Sequence, residues 1–125
     1  MPGAARLADI CTGHCTPTPV TDINGNTTIK MCCFPPRTAL EGSSDTYVNN
    51  RPLHCVTHKW NIHCGPIIYD ANGLPILSCG CHPGTLSSGC ETVICNWLNV
   101  GRCGDNISCG SKVATCSSDV IIGDI

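Results

Sequence analysis

The chain has 125 residues and a formal net charge of −2, with 13% charged and 4% aromatic residues. This length is typical of a single domain, and we expect one domain over residues 1–125. The near-neutral charge argues against a nucleic-acid partner, and no apolar stretch approaches the ~20 residues that cross a bilayer. Because so few aromatic residues cannot fill a large core, we expect a covalent or metal staple, an extended partner, or both.

The chain contains thirteen cysteines, about a tenth of its residues, a share typical of disulfide scaffolds. However, the count is odd, and the N-terminal MPGAARLAD lacks the apolar core of a secretion signal. We therefore expect folding in a reducing cytoplasm, where thiols act as metal ligands or small core residues. Several disulfides remain the alternative.

Turn-forming residues dominate the chain. DINGNTTI (Asp22–Ile29) and IIYDANGLPIL (Ile67–Leu77) each place Asn-Gly between β-favouring residues, which strongly predicts a hairpin. Further strands are predicted, in chain order, at Asp45–Asn49, Glu91–Asn96, Val113–Cys116 and Asp119–Ile122. No window of about eleven residues has the apolar period of a helix, so the predicted fold class is all-β.

One segment pattern recurs along the chain. SSDTYVNNRPLHCVTH (Ser43–His58) and GCETVICNWLNVGRCGD (Gly89–Asp105) both read as a strand, a turn with Asn, a second strand and a two-residue corner. ARLAD (Ala5–Asp9) supplies the second half again, and SSDVIIG (Ser117–Gly123) the first half. A repeat divided between the two chain ends predicts that the ends meet and close the domain.

These segments resemble the PAAR-repeat proteins, which cap the central spike of contractile injection machines. The resemblance rests on PGAAR (Pro2–Arg6), the GD-x-x-x-CG of Gly104–Gly110, the strand opening GCETVICN and the closing SSDVIIG. It implies a small cone of short strands with pseudo-threefold symmetry, a broad base on a trimeric β-helical spike, and a metal near the apex. Thr57-His58 and Ala8-Asp9 depart from the family's Gly-Asp corner, and the cysteine content is unusually high.

The resemblance implies a mechanical function. We expect one copy to cap one spike trimer, assembled in the host cytoplasm into the tip of a phage tail, and to touch the target-cell envelope transiently. A tip of the type VI secretion apparatus is the related alternative. We expect no fused toxin domain at either end of the chain. A disulfide-rich extracellular module, such as a toxin or an inhibitor, is the alternative of a different class.

The repeats also suggest the metal ligands. His14, His63 and Cys109 each follow a corner, and His82 precedes the next repeat's first strand. Three imidazoles and a thiolate suit Zn²⁺, although iron is possible. Cys64 is the closest rival ligand, and His58, a second rival, is interpreted as a turn residue.

The other cysteines and histidines are given structural interpretations. His54 is predicted to pack or to be exposed, and Cys55 and Cys103 to be small core residues. Cys32 and Cys33 point to opposite faces of a strand and cannot share an ion easily, while Cys79-x-Cys81 with His82 is a weak second metal motif. We expect no enzyme activity and no small-molecule substrate, because no nucleophile elbow, P-loop or dinucleotide fingerprint occurs.

Overall fold

The fold is all-β, as predicted, in a computed structural model that describes residues 2–123. Within that range there is no helix, and so none that could span a membrane. The strands are β1 (His14–Thr21), β2 (Thr27–Phe34), β3 (Tyr47–Val48), β4 (Arg51–Pro52), β5 (Lys59–Cys64), β6 (Ile67–Tyr69), β7 (Pro75–Ser78), β8 (Cys81–Thr85), β9 (Cys90–Cys95) and β10 (Leu98–Val100). They pair antiparallel as β1–β2, β3–β4, β5–β8, β6–β7 and β9–β10.

Three segments that are far apart in sequence meet in a closed triangle of backbone hydrogen bonds. The N–H of His54 donates to the carbonyl of Ala5, that of Ala5 to Gly101, and that of Gly101 to His54, each at 2.9 Å. Three bridges join the neighbouring residues in the same cyclic order: Arg6 with Leu53, Ala4 with Arg102, and Cys55 with Val100. We call residues 4–6, 53–55 and 100–102 the ring.

The same kind of backbone corner follows each ring segment. The residue at the end of the ring donates its N–H to a side chain three positions later: Arg6 to Asp9 at 2.7 Å, Cys55 to His58 Nδ1 at 2.9 Å, and Arg102 to Asp105 at 2.8 Å. The residue before each acceptor has a positive φ: 68° at Ala8, 79° at Thr57 and 87° at Gly104. His58 therefore takes the part that an aspartate plays in the other two corners, which agrees with its interpretation as a turn residue.

A second set of contacts follows the corners in the same threefold manner. The corner residues with positive φ donate to the carbonyls of Ala39, Leu86 and Val113 at 3.0, 2.9 and 2.9 Å. The side chains of the three accepting residues belong to one buried cluster, which consists of Ala5, Cys11, Ala39, Trp60, Leu86, Ile107 and Val113. A second cluster lies around the ring and contains Ala4, Val48, Leu53, Cys55, Cys95 and Val100.

Segments near the two chain ends lie side by side. Gly3 bridges Ile121, and the N–H of Ala4 donates to the carbonyl of Val120 at 2.9 Å. The strands predicted at Val113–Cys116 and Asp119–Ile122 are therefore single bridges rather than continuous strands. Met1, Asp124 and Ile125, which the predicted domain includes, lie outside the described residues.

Two long hairpins, which we call the arms, interrupt the repeated contacts. The first arm is the β1–β2 hairpin, residues 14–34. The second arm is residues 63–82: it begins with the last two residues of β5, ends with the first two of β8, and contains the β6–β7 hairpin between them. Both predicted Asn-Gly hairpins are confirmed, with a positive φ of 82° at Gly25 and 81° at Gly73. After the ring segment 100–102, a short turn between Ile107 and Val113 takes the place of an arm.

Candidate metal centre

The four residues predicted as metal ligands come together where the arms begin. The Nε2 atoms of His14 and His63 are 3.2 Å apart, those of His14 and His82 3.0 Å, and those of His63 and His82 2.7 Å. The Sγ of Cys109 completes a group whose ligand atoms all lie within 4.8 Å of one another. A tetrahedral ion with Zn–N bonds of ~2.0–2.1 Å would hold nitrogens about 3.3 Å apart.

Local pairing brings these residues together from separate parts of the sequence. His63 and His82 are directly opposed in the β5–β8 ladder, and His14 opens β1 opposite Phe34. Cys109 lies on the short turn between Ile107 and Val113 and packs against the buried cluster that contains Leu86. Gly84 permits this approach, since a Cβ there would lie 2.8 Å from Ile107 Cγ2 and 3.3 Å from the thiol of Cys109.

The arrangement of protons favours a cation between the rings. His63 Nδ1 is 2.8 Å from the carbonyl of Pro35, which can only accept, so Nδ1 carries the proton and Nε2 of the neutral ring carries a lone pair. Burial, and next repulsion from His63 whenever that ring is protonated, lowers the pKa of His14. Burial, and next the same repulsion from His63 and His14, lowers the pKa of His82. Imidazole binds a metal ion through a ring nitrogen in its neutral form, so Nε2 atoms that converge are suited to this role.

An aromatic side chain covers the three imidazoles. Phe34 is stacked on His14 with ring centroids 5.0 Å apart, and its centroid is 4.2 Å from that of His82 and 5.3 Å from that of His63. Phe34 is itself buried. The group also borders a cavity of about 390 Å³, which His14, His82 and Cys109 line together with Phe34. The cluster is therefore next to an apolar ring and also adjoins an open cavity.

Four disulfides overturn the expectation of reduced thiols, and three of them lie in the arms that begin at the centre. Eight of the thirteen cysteines are paired, as Cys15–Cys33, Cys32–Cys79, Cys64–Cys81 and Cys103–Cys116. Two of these pairs, Cys15–Cys33 and Cys64–Cys81, are direct cross-strand partners in their ladders. The thiols pair because the strand register places them face to face, a relation that composition alone does not reveal.

The disulfides also settle several single-residue interpretations. Cys64, the rival ligand, is bonded to Cys81, and Cys79 of the proposed second metal motif is bonded to Cys32. Cys103 was expected to be a core thiol but is bonded to Cys116. Cys55 is a fully buried free thiol, as predicted.

Both remaining histidines lie outside the metal cluster. His54 is fully buried and packs edge-on against Trp60, which fits its predicted packing role. The other rival ligand, His58, holds its corner by accepting the N–H of Cys55.

The donor set fits a metal ion. Three imidazole nitrogens and one thiolate are suitable for Zn²⁺, and geometry and availability also allow iron. The sequence missed two parts of the site, the cover formed by Phe34 and the flanking disulfides. A signal existed for the disulfides, because His14-Cys15, His63-Cys64 and Cys81-His82 each place a cysteine next to a histidine.

The sequence matches no family model and no curated protein. The resemblance to PAAR-repeat proteins therefore stays a prediction.

Proposed function

We propose that this chain is the structural tip of the central spike of a contractile injection machine, most suitably a phage tail, where one copy caps one trimer. The observation that carries the proposal is the ring, in which three separate segments make the same hydrogen bonds in cyclic order. A single chain with this local threefold pattern can match three equivalent chains at once.

Exposed apolar side chains beside the ring support a threefold partner. Tyr47, Ile94 and Ile121 occupy corresponding places, opposite Pro52, Asn99 and Gly3 in their respective pairs. These three side chains are 57%, 53% and 44% exposed. The neighbouring apolar residues contribute instead to the cluster around the ring: Val48, Val93, Val120 and Ile122. Large apolar residues that recur on exposed hairpins favour contact with another protein.

In this proposal the metal centre forms the apex of a cone. His14, His63, His82 and Cys109 would hold zinc or iron, and the ion would cross-link loops at a place too small for a hydrophobic core. The chain's contribution is mechanical: a compact end that the machine drives against the target-cell envelope. The same geometry would serve a type VI secretion spike.

Four disulfides favour one alternative of a different class, a secreted toxin or inhibitor. A free-thiol count near thirteen would have supported the spike tip and a count near one the secreted module; the five free thiols lie between. One of the five, Cys109, belongs to the metal cluster. We favour the spike tip because of the cyclic hydrogen bonds, which suit a partner of three equivalent chains and which an isolated disulfide module would not need.

Co-expression with the trimeric spike protein encoded beside this chain tests the proposal. Mass measurement of the purified complex should give three spike chains to one tip. The double variant Ile94→Lys/Ile121→Lys should abolish the complex, while Ile29→Lys on the first arm, at a residue 62% exposed, should leave it intact. A protein that stays monomeric with each neighbouring trimer would support the secreted module instead.

A further inference from the structure

Each histidine of the metal cluster is next to a disulfide-bonded cysteine. Cys15 follows His14, Cys64 follows His63, and Cys81 precedes His82. Cys33, the partner of Cys15, precedes Phe34, which covers the histidines. This spacing occurs at all three imidazole ligands, so the disulfides and the ligands share the same strand pairs.

The two kinds of group lie on opposite faces of those strands. Successive residues of a strand point to opposite sides, so the Cys64–Cys81 bond lies on the face away from the facing pair His63 and His82. The same holds for Cys15–Cys33 and the facing pair His14 and Phe34. The β5–β8 pair can therefore be cross-linked twice, by sulfur on one face and through His63 and His82 on the other. On β1–β2 the face opposite the disulfide carries one candidate ligand, His14, beside its cover Phe34.

We propose that the disulfides Cys15–Cys33 and Cys64–Cys81 and the metal centre are thermodynamically coupled, so that each stabilises the other. The inference rests on the proposed metal site. The disulfides fix the register that sets His63 opposite His82 and His14 opposite Phe34, so less ordering is left for metal binding to accomplish. The third arm disulfide, Cys32–Cys79, joins the two arms and belongs to the same unit.

Coupling of this kind is reciprocal. If a disulfide raises metal affinity by a given factor, bound metal must favour the disulfide over the two thiols by the same factor. For a two-electron couple a tenfold effect corresponds to about 30 mV. The oxidation state of the arms and the occupancy of the centre then change together when the protein moves between a reducing and an oxidising compartment.

The chain contains its own control. Cys103–Cys116 lies beside Gly3, whose added Cβ would be 3.1 Å from the Cys116 sulfur, close to the joined chain ends. Neither of its cysteines is next to a ligand histidine in sequence. Reduction of this disulfide should not depend on metal.

Reduction rates of the individual disulfides test the coupling in the full, oxidised chain. A phosphine reductant gives two electrons to each disulfide, which takes up two protons, and the phosphine becomes its oxide with oxygen from water. Trapping the thiols by alkylation and mapping the peptides gives one rate for each bond. Added Zn²⁺ should slow reduction of Cys15–Cys33 and Cys64–Cys81 by about tenfold or more and leave Cys103–Cys116 unchanged.

Zinc affinity provides the second measurement. The double variant Cys64→Ser/Cys81→Ser should bind Zn²⁺ at least about tenfold more weakly than the wild type, and Cys103→Ser/Cys116→Ser should bind it with wild-type affinity. If the oxidised wild type binds neither zinc nor iron, the metal centre and this inference both fail. If it binds zinc but all four disulfides respond equally, or not at all, the inference is wrong and the metal centre stands.

Discussion

The ring and the arms are stabilised by different means. The ring is held by backbone hydrogen bonds and by two clusters of buried side chains, with one disulfide near the chain ends. The arms bury little: in β1 only Val20 is buried, and in β2 only Cys32 and Phe34. The remaining three disulfides and the candidate metal cluster are all in the arms or where they begin.

This contrast follows from how much surface each part can remove from water. Three segments that converge can enclose Leu86, Val100 and Ile107 almost completely. A two-stranded hairpin with both faces exposed has no interior and is marginally stable by itself. Covalent or metal cross-links stabilise such a segment without requiring a core. We therefore expect the arms to respond to metal and redox changes, and the ring to respond to changes in packing.

Metal removal should have the largest effect and should act on the arms. At a free metal concentration about 1,000 times its Kd, bound ion stabilises by about 4 kcal/mol, and chelation removes that amount. The variants His82→Ala and Cys109→Ser should lose metal for the same reason. Elemental analysis and thermal melting measure both effects, with His58→Asp, outside the cluster, as the metal-binding control. Full occupancy and unchanged melting in both ligand variants would disprove the ligand set.

Truncating one core side chain should separate the two regions. Leu86 is 1% exposed in the buried cluster, and Leu86→Ala should lower the free energy of unfolding by about 2–5 kcal/mol. Ile29, on the first arm, is 62% exposed, and Ile29→Ala should change it by less than about 0.5 kcal/mol. Urea denaturation of the metal-loaded proteins gives both values. Equal costs would mean that the arm is packed as well as the core.

Acid should weaken the ring through one buried histidine. Burial lowers the pKa of His54 from 6.5 to about 4. The unfolded chain therefore takes up a proton between these values while the folded chain does not, so stability is complete above about pH 6.5 and falls as the pH drops toward 4. The loss is roughly 3 kcal/mol.

Comparison with a variant isolates this contribution from the other histidines. In His54→Gln the pH dependence of unfolding between pH 6.5 and 4 should be smaller than in the wild type by that amount. Denaturant titrations at several pH values measure the difference. Parallel curves for the two proteins would show that His54 titrates normally.

The smallest effect should come from the one corner without an aspartate. His58→Ala removes the acceptor of the Cys55 N–H and should cost about 1 kcal/mol. His58→Asp supplies a carboxylate acceptor, as in the other corners, and should recover most of that loss. If alanine and aspartate give the same stability, the hydrogen bond of this corner contributes nothing measurable.

The sequence predicted local structure better than pairing. Asn-Gly turns predicted both hairpins because Gly25 and Gly73 need a positive φ, a local property. The repeat pattern brought His14, His63, His82 and Cys109 into one hypothesis, and the structure places their ligand atoms together.

The disulfides were mispredicted, because pairing depends on register between strands that are distant in sequence. Cys55 and Cys103 were both predicted to be small core residues, whereas the corner hydrogen bonds match Cys55 with Arg102, the residue before Cys103. A shift of one residue reverses the face to which a side chain points, so such a small alignment error is enough to misplace a thiol.

The joining of the chain ends has a consequence for how the molecule comes to be made. Ala4 donates to Val120 and Ala5 donates to Gly101, so these hydrogen bonds of the early residues form only after nearly the whole chain has been synthesised. Contacts of such long sequence separation slow folding. During that delay the first arm has already been synthesised, while the ring segment 100–102, which completes the buried clusters, has not. We therefore expect nascent chains to expose their cysteines to wrong partners on the ribosome, and a disulfide isomerase to raise the yield of native protein.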